Sequence, residues 1–431
     1  MPIQTRRGVR LTYLKEPAAS RELSVLEAKG SLYLPLAYAE QGGPPAASLK
    51  TVIRKNQPLV IPDDPASIPV YASVTGTLEG VCTLSHPLYG QLDCAVIAAA
   101  PEGDPPPEGK PADLERLSPN DVIEAARQAG IIDELDGVPL HLKLTQWKKE
   151  GCGCLVADGV EPEPYASSAW TVLSRSAEQV GQGLALAARC VGAAAYHVAV
   201  CLPGDRRRSL QQRLGEDRLF QVRRRYPVDR YAPSSLLRPG PVLRRIGVQA
   251  LLALYRATAF GEPQTDCVIT VAGDAVATPQ NLAVPFGVPI REVLAYCGLR
   301  EDPHYLILGD LMTGRTAPSD ELPVLPGMTC LLALENSSLE ETVTVGKNAA
   351  GVTGLCLLLL VCVRPLLAIL APLLASRLAA AMIEPVEDGP VARLIDRFGD
   401  VLSMLLVVVV ASCVMAMVLI GATLASGGAV R

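Results

Sequence analysis

The sequence predicts a multidomain protein of mixed α/β and α+β class that ends in a two-helix transmembrane hairpin. Three observations support this fold class. Up to about residue 110 the chain reads as short strands separated by Gly and Pro, and from Ser118 helical and strand patterns alternate. After Glu335, two long apolar runs follow. Alternating strands and helices favour an α/β layer with a mostly parallel sheet.

The composition places part of the chain in lipid. The 431 residues are 49% hydrophobic and only 4% aromatic, and the mean hydropathy is +0.27, more apolar than an average soluble protein. This length allows two or three domains and an additional element. The net charge of -5 gives no global basic field and argues against nucleic acid as a partner. The arginine runs 206–208 and 223–225 are interpreted as solvated helix and strand faces.

The cysteines and the N-terminus indicate the cellular compartment of the protein and the kinds of metal or redox site it could contain. No apolar core follows the first charges, which predicts no signal peptide. No C-x-x-C-x-x-C run occurs among the twelve cysteines, so their spacing excludes a ferredoxin-type iron-sulfur site. The thiols are interpreted as buried, reduced and cytosolic. The C-x-C pair Cys152 and Cys154 is the one candidate for zinc or redox chemistry.

The elements between the first strands and the C-terminal region are predicted in order. Residues 101–112 form a Pro-rich linker. Residues 118–130, SPNDVIEAARQAG, form a helix that begins with a Ser-Pro start signal and buries Val122, Ile123, Ala126 and Ala129. Later predicted elements are a helix ended by Gly192, the strand YHVAVCLP, a helix at about 206–214, a strand near 220–223 and a helix within 238–260. In 266–300 we expect a strand, the turn Gly273-Asp274, a strand and a helix from Pro289.

Residues 130–165 should hold the chemistry. They read GIIDELDGVPLHLKL and TQWKKEGCGCLVADGVEPEPY, and predict a helix end, a turn, a short strand, a basic loop, a second strand and an acidic turn. A Gly-rich turn opening onto a helix would offer N–H groups to a phosphate. Here Asp133, Glu134 and Asp136 stand in that turn, where like charges at contact cost on the order of 1 kcal/mol or more. A nucleotide site at this position is therefore interpreted as degenerate.

The motifs AARQAGII, VPLHLKL and LVADGVEPEPY resemble the flavin- and NADH-binding core of the C subunit of Rnf-type electron transport complexes and its relative in respiratory complex I. The matching residues are Gly130, Pro139, His141, Lys143, Gly159, Glu161, Glu163, Pro164 and Tyr165. The resemblance implies that Lys143, Glu161 and Glu163 would bind the cofactor, FMN or NADH, at a vestigial site. The family's glycine run is replaced by the shorter acidic turn, and its two-cluster ferredoxin domain is missing. No cofactor, no iron-sulfur cluster and no other metal are therefore expected.

Two further stretches resemble the same family. ASLKTVIRKNQPLVIP and IPVYASVTGTLEGV are similar to the halves of a barrel-sandwich hybrid domain, where Asn56 replaces a turn glycine because Asn tolerates positive φ. Residues 266–300 look like the family's soluble-ligand-binding β-grasp (SLBB) segment. The resemblance implies a barrel-sandwich hybrid at 1–110, a Rossmann-like α/β core at 113–262 and a β-grasp domain at 263–335.

The C-terminal region, residues 345–431, is predicted to be the transmembrane hairpin. The runs 352–374 and 401–425 are long enough to cross about 30 Å of hydrocarbon, and the segment between them reads as an interfacial amphipathic helix. Arg364, followed by Pro365, would face a pore or a neighbouring protein chain, or would reach a nearby group from a tilted span. Residues 345–427 resemble the end of stage III sporulation protein AE, a multispanning component of an intercellular channel apparatus.

Three functions are compatible with these features. The first is a membrane-attached docking or scaffold subunit of an electron-transport-type complex, with the membrane and other complex subunits as partners and the soluble N-terminal part in the cytoplasm. The second is a sporulation channel component with a fused soluble portion. The third is a redox subunit that binds flavin or NADH for electron transfer. No catalytic residue is predicted, since the four histidines fall in different elements.

Overall fold

The protein is described from a computed structural model. The structure describes residues 11–38, 49–87, 89–100, 112–228, 230–232, 242–300, 303, 305–335, 368–375, 378–379, 397–412 and 415. The chain forms two compact units, 1–336 and 337–431. The predicted linker lies almost wholly outside the described residues, as do Arg364 and Pro365.

The first unit contains sixteen strands and seven α-helices in the described residues. The strands are β1 (Ser24–Val25), β2 (Ser31–Pro35), β3 (Val52–Ile53), β4 (Pro58–Val60), β5 (Val70–Tyr71), β6 (Gly76–His86), β7 (Gly90–Ala99), β8 (Cys154–Gly159), β9 (Ala195–Val200), β10 (Leu219–Gln221), β11 (Leu243–Gly247), β12 (Asp266–Ala272), β13 (Gln280–Pro285), β14 (Tyr305–Leu308), β15 (Arg315–Thr316) and β16 (Cys330–Leu334). The helices are α1 (Glu16–Ala19), α2 (Pro119–Gln128), α3 (Leu140–Glu150), α4 (Ser168–Val191), α5 (Gly204–Leu214), α6 (Val248–Phe260) and α7 (Ile290–Tyr296). The predicted mixture of α and β structure is confirmed.

The N-terminal strands form an antiparallel sheet in the order β2-β7-β6-β3, beside the pair β4-β5. Asn56 lies in the turn between β3 and β4 with φ of 65°, as its replacement of a glycine predicted. The expectation of uniformly short strands was wrong for β6 and β7, which have eleven and ten residues. Their long antiparallel register lets each strand satisfy its backbone groups on the other.

A capping box begins α2. The Ser118 hydroxyl accepts the backbone N–H of Asp121, and the Asp121 carboxylate accepts that of Ser118. These two bonds satisfy donors that a helix start leaves free. Val122, Ala126 and Ala129 are buried, whereas Ile123 is half-buried. The predicted helix is confirmed.

The next element corrects the sequence prediction. Residues 139–150 were expected to form a short strand and a basic loop, but Leu140–Glu150 is the helix α3. Leu140, Leu144 and Trp147 are buried at helical spacing and pack in the core with α2 and α4. The alternation of apolar and polar residues in VPLHLKL was too short to distinguish the period of a strand from that of a helix.

The α/β layer contains a parallel sheet in the order β10-β9-β8-β11. Strand β11 was not predicted, because residues 238–260 were assigned to one helix. Helix α4 is kinked at Ser176, whose φ and ψ are -123° and 31°. The left-handed Gly192 ends α4 as predicted.

The third part of the unit is a six-stranded sheet in the order β1-β13-β12-β16-β14-β15. The predicted strands around the Gly273-Asp274 turn and the helix after Pro289 are confirmed. Strand β1 from the N-terminal region pairs with β13, and one apolar core joins residues such as Leu34 and Ile53 to Ile269 and Leu282. The domain boundaries proposed within 1–335 remain predictions.

The second unit is described only in part. Residues 368–375 and 397–412 are helical. In these described residues no helix combines the length and the apolar character needed to cross a membrane. The transmembrane hairpin therefore remains a prediction, and most of the first apolar run and of the segment after it lie outside the described residues.

Candidate functional site

The parallel sheet places a crevice at the carboxyl ends of β8 and β11. Starting from β8, the chain adds β9 and β10 on one side and β11 on the other, so the direction of strand addition reverses between β8 and β11. Ligands of open α/β sheets bind outside the carboxyl ends of strands at such a switch point. A cavity of about 320 Å³ lies here and extends to the end of β14 and to the residues just before β16.

The start of α6 faces this crevice. The acidic turn, residues 133–136, lies against this helix start. The Glu134 carboxylate accepts the backbone N–H of Gln249 at 2.7 Å and of Ala250 at 3.0 Å. A Cβ at Gly247 would overlap the same carboxylate. The first N–H groups of a helix form an anion site. Glu134 thus occupies N–H groups that an external anion would otherwise contact at the start of α6.

The two neighbouring aspartates are held by Lys143. The Lys143 ammonium contacts the Asp133 carboxylate at 2.5 Å and that of Asp136 at 2.9 Å, and it lies 5.3 Å from the centre of the Trp147 ring. Asp133 is fully buried and also accepts the backbone N–H of Gly247 at 3.0 Å. The positive charge of Lys143 is therefore paired with the two aspartates of the acidic turn.

The predicted residues Glu161 and Glu163 line the cavity, but each is engaged by the protein. Glu161 accepts the N–H of Ala169 at 2.8 Å at the start of α4. Glu163 accepts the Thr313 hydroxyl at 2.6 Å and the N–H of Met312 at 3.2 Å. Burial raises the pKa of Glu163 above its ordinary value. Lys143 does not line this cavity, so the structure brings together two of the three predicted residues.

Sequence reasoning missed two further carboxylates of the cavity. Asp158 is buried at the end of β8, contacts Arg245 at 2.8 Å, and has its pKa raised to about 6, mainly by burial. Asp310 is buried and accepts the N–H groups of Tyr165 and Ala166 at 2.8 and 2.6 Å. Burial also raises the pKa of Asp310. The position of Asp158 at the carboxyl end of a strand was the sequence signal that could have identified it.

Burial also changes the protonation of Glu134. Its pKa is raised to about 8, by burial first and then by the charge of Asp133, against the lowering effect of the two N–H groups of α6. Together, Glu134, Asp158, Glu161, Glu163 and Asp310 make the cavity wall acidic. With this pKa Glu134 is largely protonated at neutral pH, and those carboxylates of the wall that are ionised disfavour a bound anion by like-charge repulsion.

The other candidate groups do not converge on the crevice. Cys152 and Cys154 are buried, and burial raises the pKa of both thiols, that of Cys152 to about 11, so they are protonated at neutral pH. Within the described ranges no group of three or more His, Cys, Asp or Glu side chains is arranged to hold a metal ion. His141 is buried on α3, and burial lowers its pKa.

With the crevice defined, sequence comparison relates the chain to known proteins. It is 27% identical over 354 residues to the C subunit of the Na⁺-translocating ferredoxin:NAD⁺ oxidoreductase complex of Acetobacterium woodii, covering 77% of this chain and 79% of that protein. The chain resembles the C subunits of ion-translocating oxidoreductase complexes. The C subunits of Rhodobacter capsulatus and Pseudomonas aeruginosa are 25% and 28% identical over 70% and 69% of this chain. The chain matches only 62% and 41% of these two relatives' lengths.

A different similarity covers the C-terminal region. Residues 339–427 match the family model of stage III sporulation protein AE, as the sequence resemblance predicted. Among solved structures, an NAD⁺-reducing NiFe hydrogenase in its H2-reduced state aligns with a TM-score of 0.40 and 18% identity, over 52% of this chain and 47% of that chain. The resemblance to C subunits and the C-terminal sporulation match together account for most of the chain.

Proposed function

We propose that this chain is a membrane-anchored relative of Rnf-type C subunits that acts as a non-catalytic docking or scaffold subunit. The observation that carries the proposal is the occupation of the α6 start by Glu134. An internal carboxylate takes the N–H groups that a nucleotide phosphate requires. The crevice keeps its place in the fold, but the N–H groups at its helix start are already occupied by Glu134.

The charges around the crevice support the same conclusion. FMN and NADH both bring phosphate groups, and the wall presents carboxylates from Asp158, Glu161, Glu163 and Asp310. Lys143 is buried against Asp133 and Asp136 and offers no free charge to a phosphate. The residues of the crevice therefore do not fit a nucleotide phosphate, and no redox step is derived through one.

Attachment to the membrane is supported by the second unit. The described helical residues 397–412 expose large apolar side chains, among them Val401, Met404 and Val407. The hydroxyls of Ser403 and Ser412 each donate to a carbonyl one turn earlier, at 2.8 Å, so these polar groups are satisfied inside the helix. Internal satisfaction of polar groups is what a lipid environment requires.

A second candidate function is favoured by the match of residues 339–427 to the sporulation family. In that case the membrane part would belong to a channel assembly of the sporulation type, and the C-subunit-like unit would be its fused cytoplasmic portion. In both proposed functions the chain acts as a scaffold and carries out no nucleotide chemistry. They differ in the partners that co-purify with the chain, either oxidoreductase subunits or sporulation channel proteins.

Ligand titration tests the scaffold proposal. The full-length protein in neutral detergent is titrated with FMN and with NADH, and binding is followed by ligand fluorescence. We expect no saturable binding up to millimolar ligand. Micromolar binding of either ligand to the wild-type chain would overturn the proposal and favour the flavin- or NADH-binding redox subunit.

A turn variant tests the stated cause. Replacement of Asp133, Glu134 and Asp136 by glycine frees the α6 start and Lys143, and we expect measurable FMN or NADH affinity to appear. Adding Lys143→Met to this variant should weaken the new affinity, whereas Lys149→Met on the exposed face of α3 should not. Circular dichroism melts verify that each variant is folded before it is titrated.

A further inference from the structure

Two arginine runs separated by 14 residues lie at the carboxyl edge of the parallel sheet. Residues 206–208 lie near the start of α5, and residues 223–225 follow β10. Strand β10 is parallel to β9, and α5 follows β9. Parallel strands end at the same edge, so both runs lie there. We call these six residues the arginine surface.

Backbone and side-chain contacts fix this arrangement. The N–H of Val222 donates to the carbonyl of Val200 at 2.7 Å, and the Gln221 amide donates to the carbonyl of Leu202 at 3.1 Å. The chain just before 223–225 is thereby joined to the chain just before α5. The two runs therefore lie at the same edge of the sheet.

Aromatic rings from other elements orient two of the guanidinium groups. Arg224 stacks on Tyr13 at 3.6 Å from the ring centre, and Arg206 lies 5.0 Å from the centre of the Trp170 ring. Arg206 also contacts Glu16 at 2.9 Å. Stacking holds a planar guanidinium in a defined direction and reduces the entropy lost when it binds a carboxylate.

The surface has unbalanced positive charge. The six residues of the arginine surface carry six positive charges, and the described contacts pair two of them with carboxylates, Arg206 with Glu16 and Arg208 with Asp205. In the described part of the chain, neither Arg207 nor Arg223 pairs with a carboxylate, and Arg223 is exposed. Arg223 is therefore available to an external anion, and the half-buried Arg207 carries a second charge that no described carboxylate balances.

We propose that the arginine surface binds an acidic segment of a partner protein. Guanidinium groups pair with carboxylates through two parallel hydrogen bonds, which favours Asp- and Glu-rich peptide over a diffuse charge. Complementary charge also accelerates association and selects the partner. The proposal is independent of whether the crevice binds a nucleotide.

A peptide partner fits this surface better than an anionic bilayer does. Surfaces that lie on lipid combine basic residues with apolar side chains that enter the membrane. Among the described residues of 204–232, no large apolar side chain is exposed.

The proposal is tested by fluorescence anisotropy with the full-length protein in neutral detergent. The probe is a fluorescein-labelled ten-residue peptide of alternating Glu and Asp. The double variant R207E/R223E removes the two unpaired cations, and R54E/R300E is the matched control, with the same charge change at exposed positions outside the surface. A second titration replaces the peptide with headgroup-labelled phosphatidylserine in the micelles.

We expect the wild type to bind the peptide with an affinity that falls as salt increases, about tenfold weaker binding by R207E/R223E, and less than about threefold change in R54E/R300E. Absence of peptide binding to the wild type would overturn the proposal. Equal weakening of peptide binding in both double variants would show that binding depends only on the net charge of the protein, and would also overturn the proposal. Binding of the lipid but not the peptide would assign the surface to a membrane instead.

Discussion

The carboxylate of Glu134 accepts the backbone N–H of Gln249 at 2.7 Å, across 115 residues of sequence. This bond joins the acidic turn to the first turn of α6. It converts a typical anion-binding helix start into an internal cap. The same fold position that serves ligand binding in open α/β sheets thus contributes to the stability of this protein.

Glu134 should make stability depend on pH. Its folded pKa of about 8 exceeds its ordinary value, so its contribution is fully present below the unfolded pKa and is lost as pH rises through the folded value. We expect the melting temperature of the wild type to fall more than that of Glu134→Gln between about pH 5 and about pH 9. Parallel curves for the two proteins, measured by calorimetry at several pH values, would contradict this assignment.

Removal of Lys143 should destabilise the fold strongly. Lys143→Met leaves the fully buried Asp133 without its cation, and breaking one partner of a buried pair costs about 3 to 5 kcal/mol. Urea denaturation measures the loss. The double variant Lys143→Met with Asp133→Asn should recover part of it, because no unpaired charge remains. Lys149→Met, an exposed change on the same helix, is the control and should have little effect.

Arg213 is expected to stabilise the kink in α4. Its guanidinium donates to the carbonyls of Ser174 and Arg175 and pairs with Glu178 at 2.6 Å, holding the pKa of Glu178 down to about 2. Arg213→Ala should cost about 1 to 2 kcal/mol of unfolding free energy, since two carbonyls lose a donor. Glu178→Gln, which removes only the exposed ion pair, should cost less than about 1 kcal/mol. Equal losses of unfolding free energy in the two variants would show that the ion pair with Glu178, and not the bonds to the carbonyls, provides the stabilisation.

Asn281 should be intolerant of an isosteric acid. Its buried amide donates to the Ala18 carbonyl at 3.2 Å and its oxygen accepts the Thr270 hydroxyl at 2.7 Å. Asn281→Asp cannot donate to Ala18 in its ionised form, and the loss of unfolding free energy should be about 2 kcal/mol or more at neutral pH. Acidification should restore part of the stability by protonating the new carboxyl. Thermal melts at two pH values check both expectations.

The Gly273 turn should require glycine for steric reasons. Gly273 has φ of 120°, and a Cβ there would overlap the carbonyl of Ala333 on β16. Gly261 also has positive φ, at 71°, but a Cβ there would meet no atom. Gly273→Ala should therefore destabilise the protein clearly more than Gly261→Ala, whose cost of about 1 kcal/mol reflects backbone strain alone. Similar melting temperatures for the two variants would refute this account.

Much of the fold could be predicted from local sequence because the signals are local. Ser118 and Asp121 lie three residues apart and form a capping box whatever the rest of the chain does. Asn56 tolerates the left-handed turn by its own chemistry. The failure at α3 also has a local reason, since a short apolar alternation does not distinguish a strand from a buried helix face.

The sequence by itself therefore determined the helix caps, the turns, the mixed α/β class and the presence of an acidic turn in place of glycines. Only the tertiary structure decided what that turn does. It brings Glu134 to α6, Lys143 to Asp133 and Asp136, and the two arginine runs to one edge. The reason is physical: caps and turns depend on residues a few positions apart, whereas the parallel sheet order decides which distant charges meet.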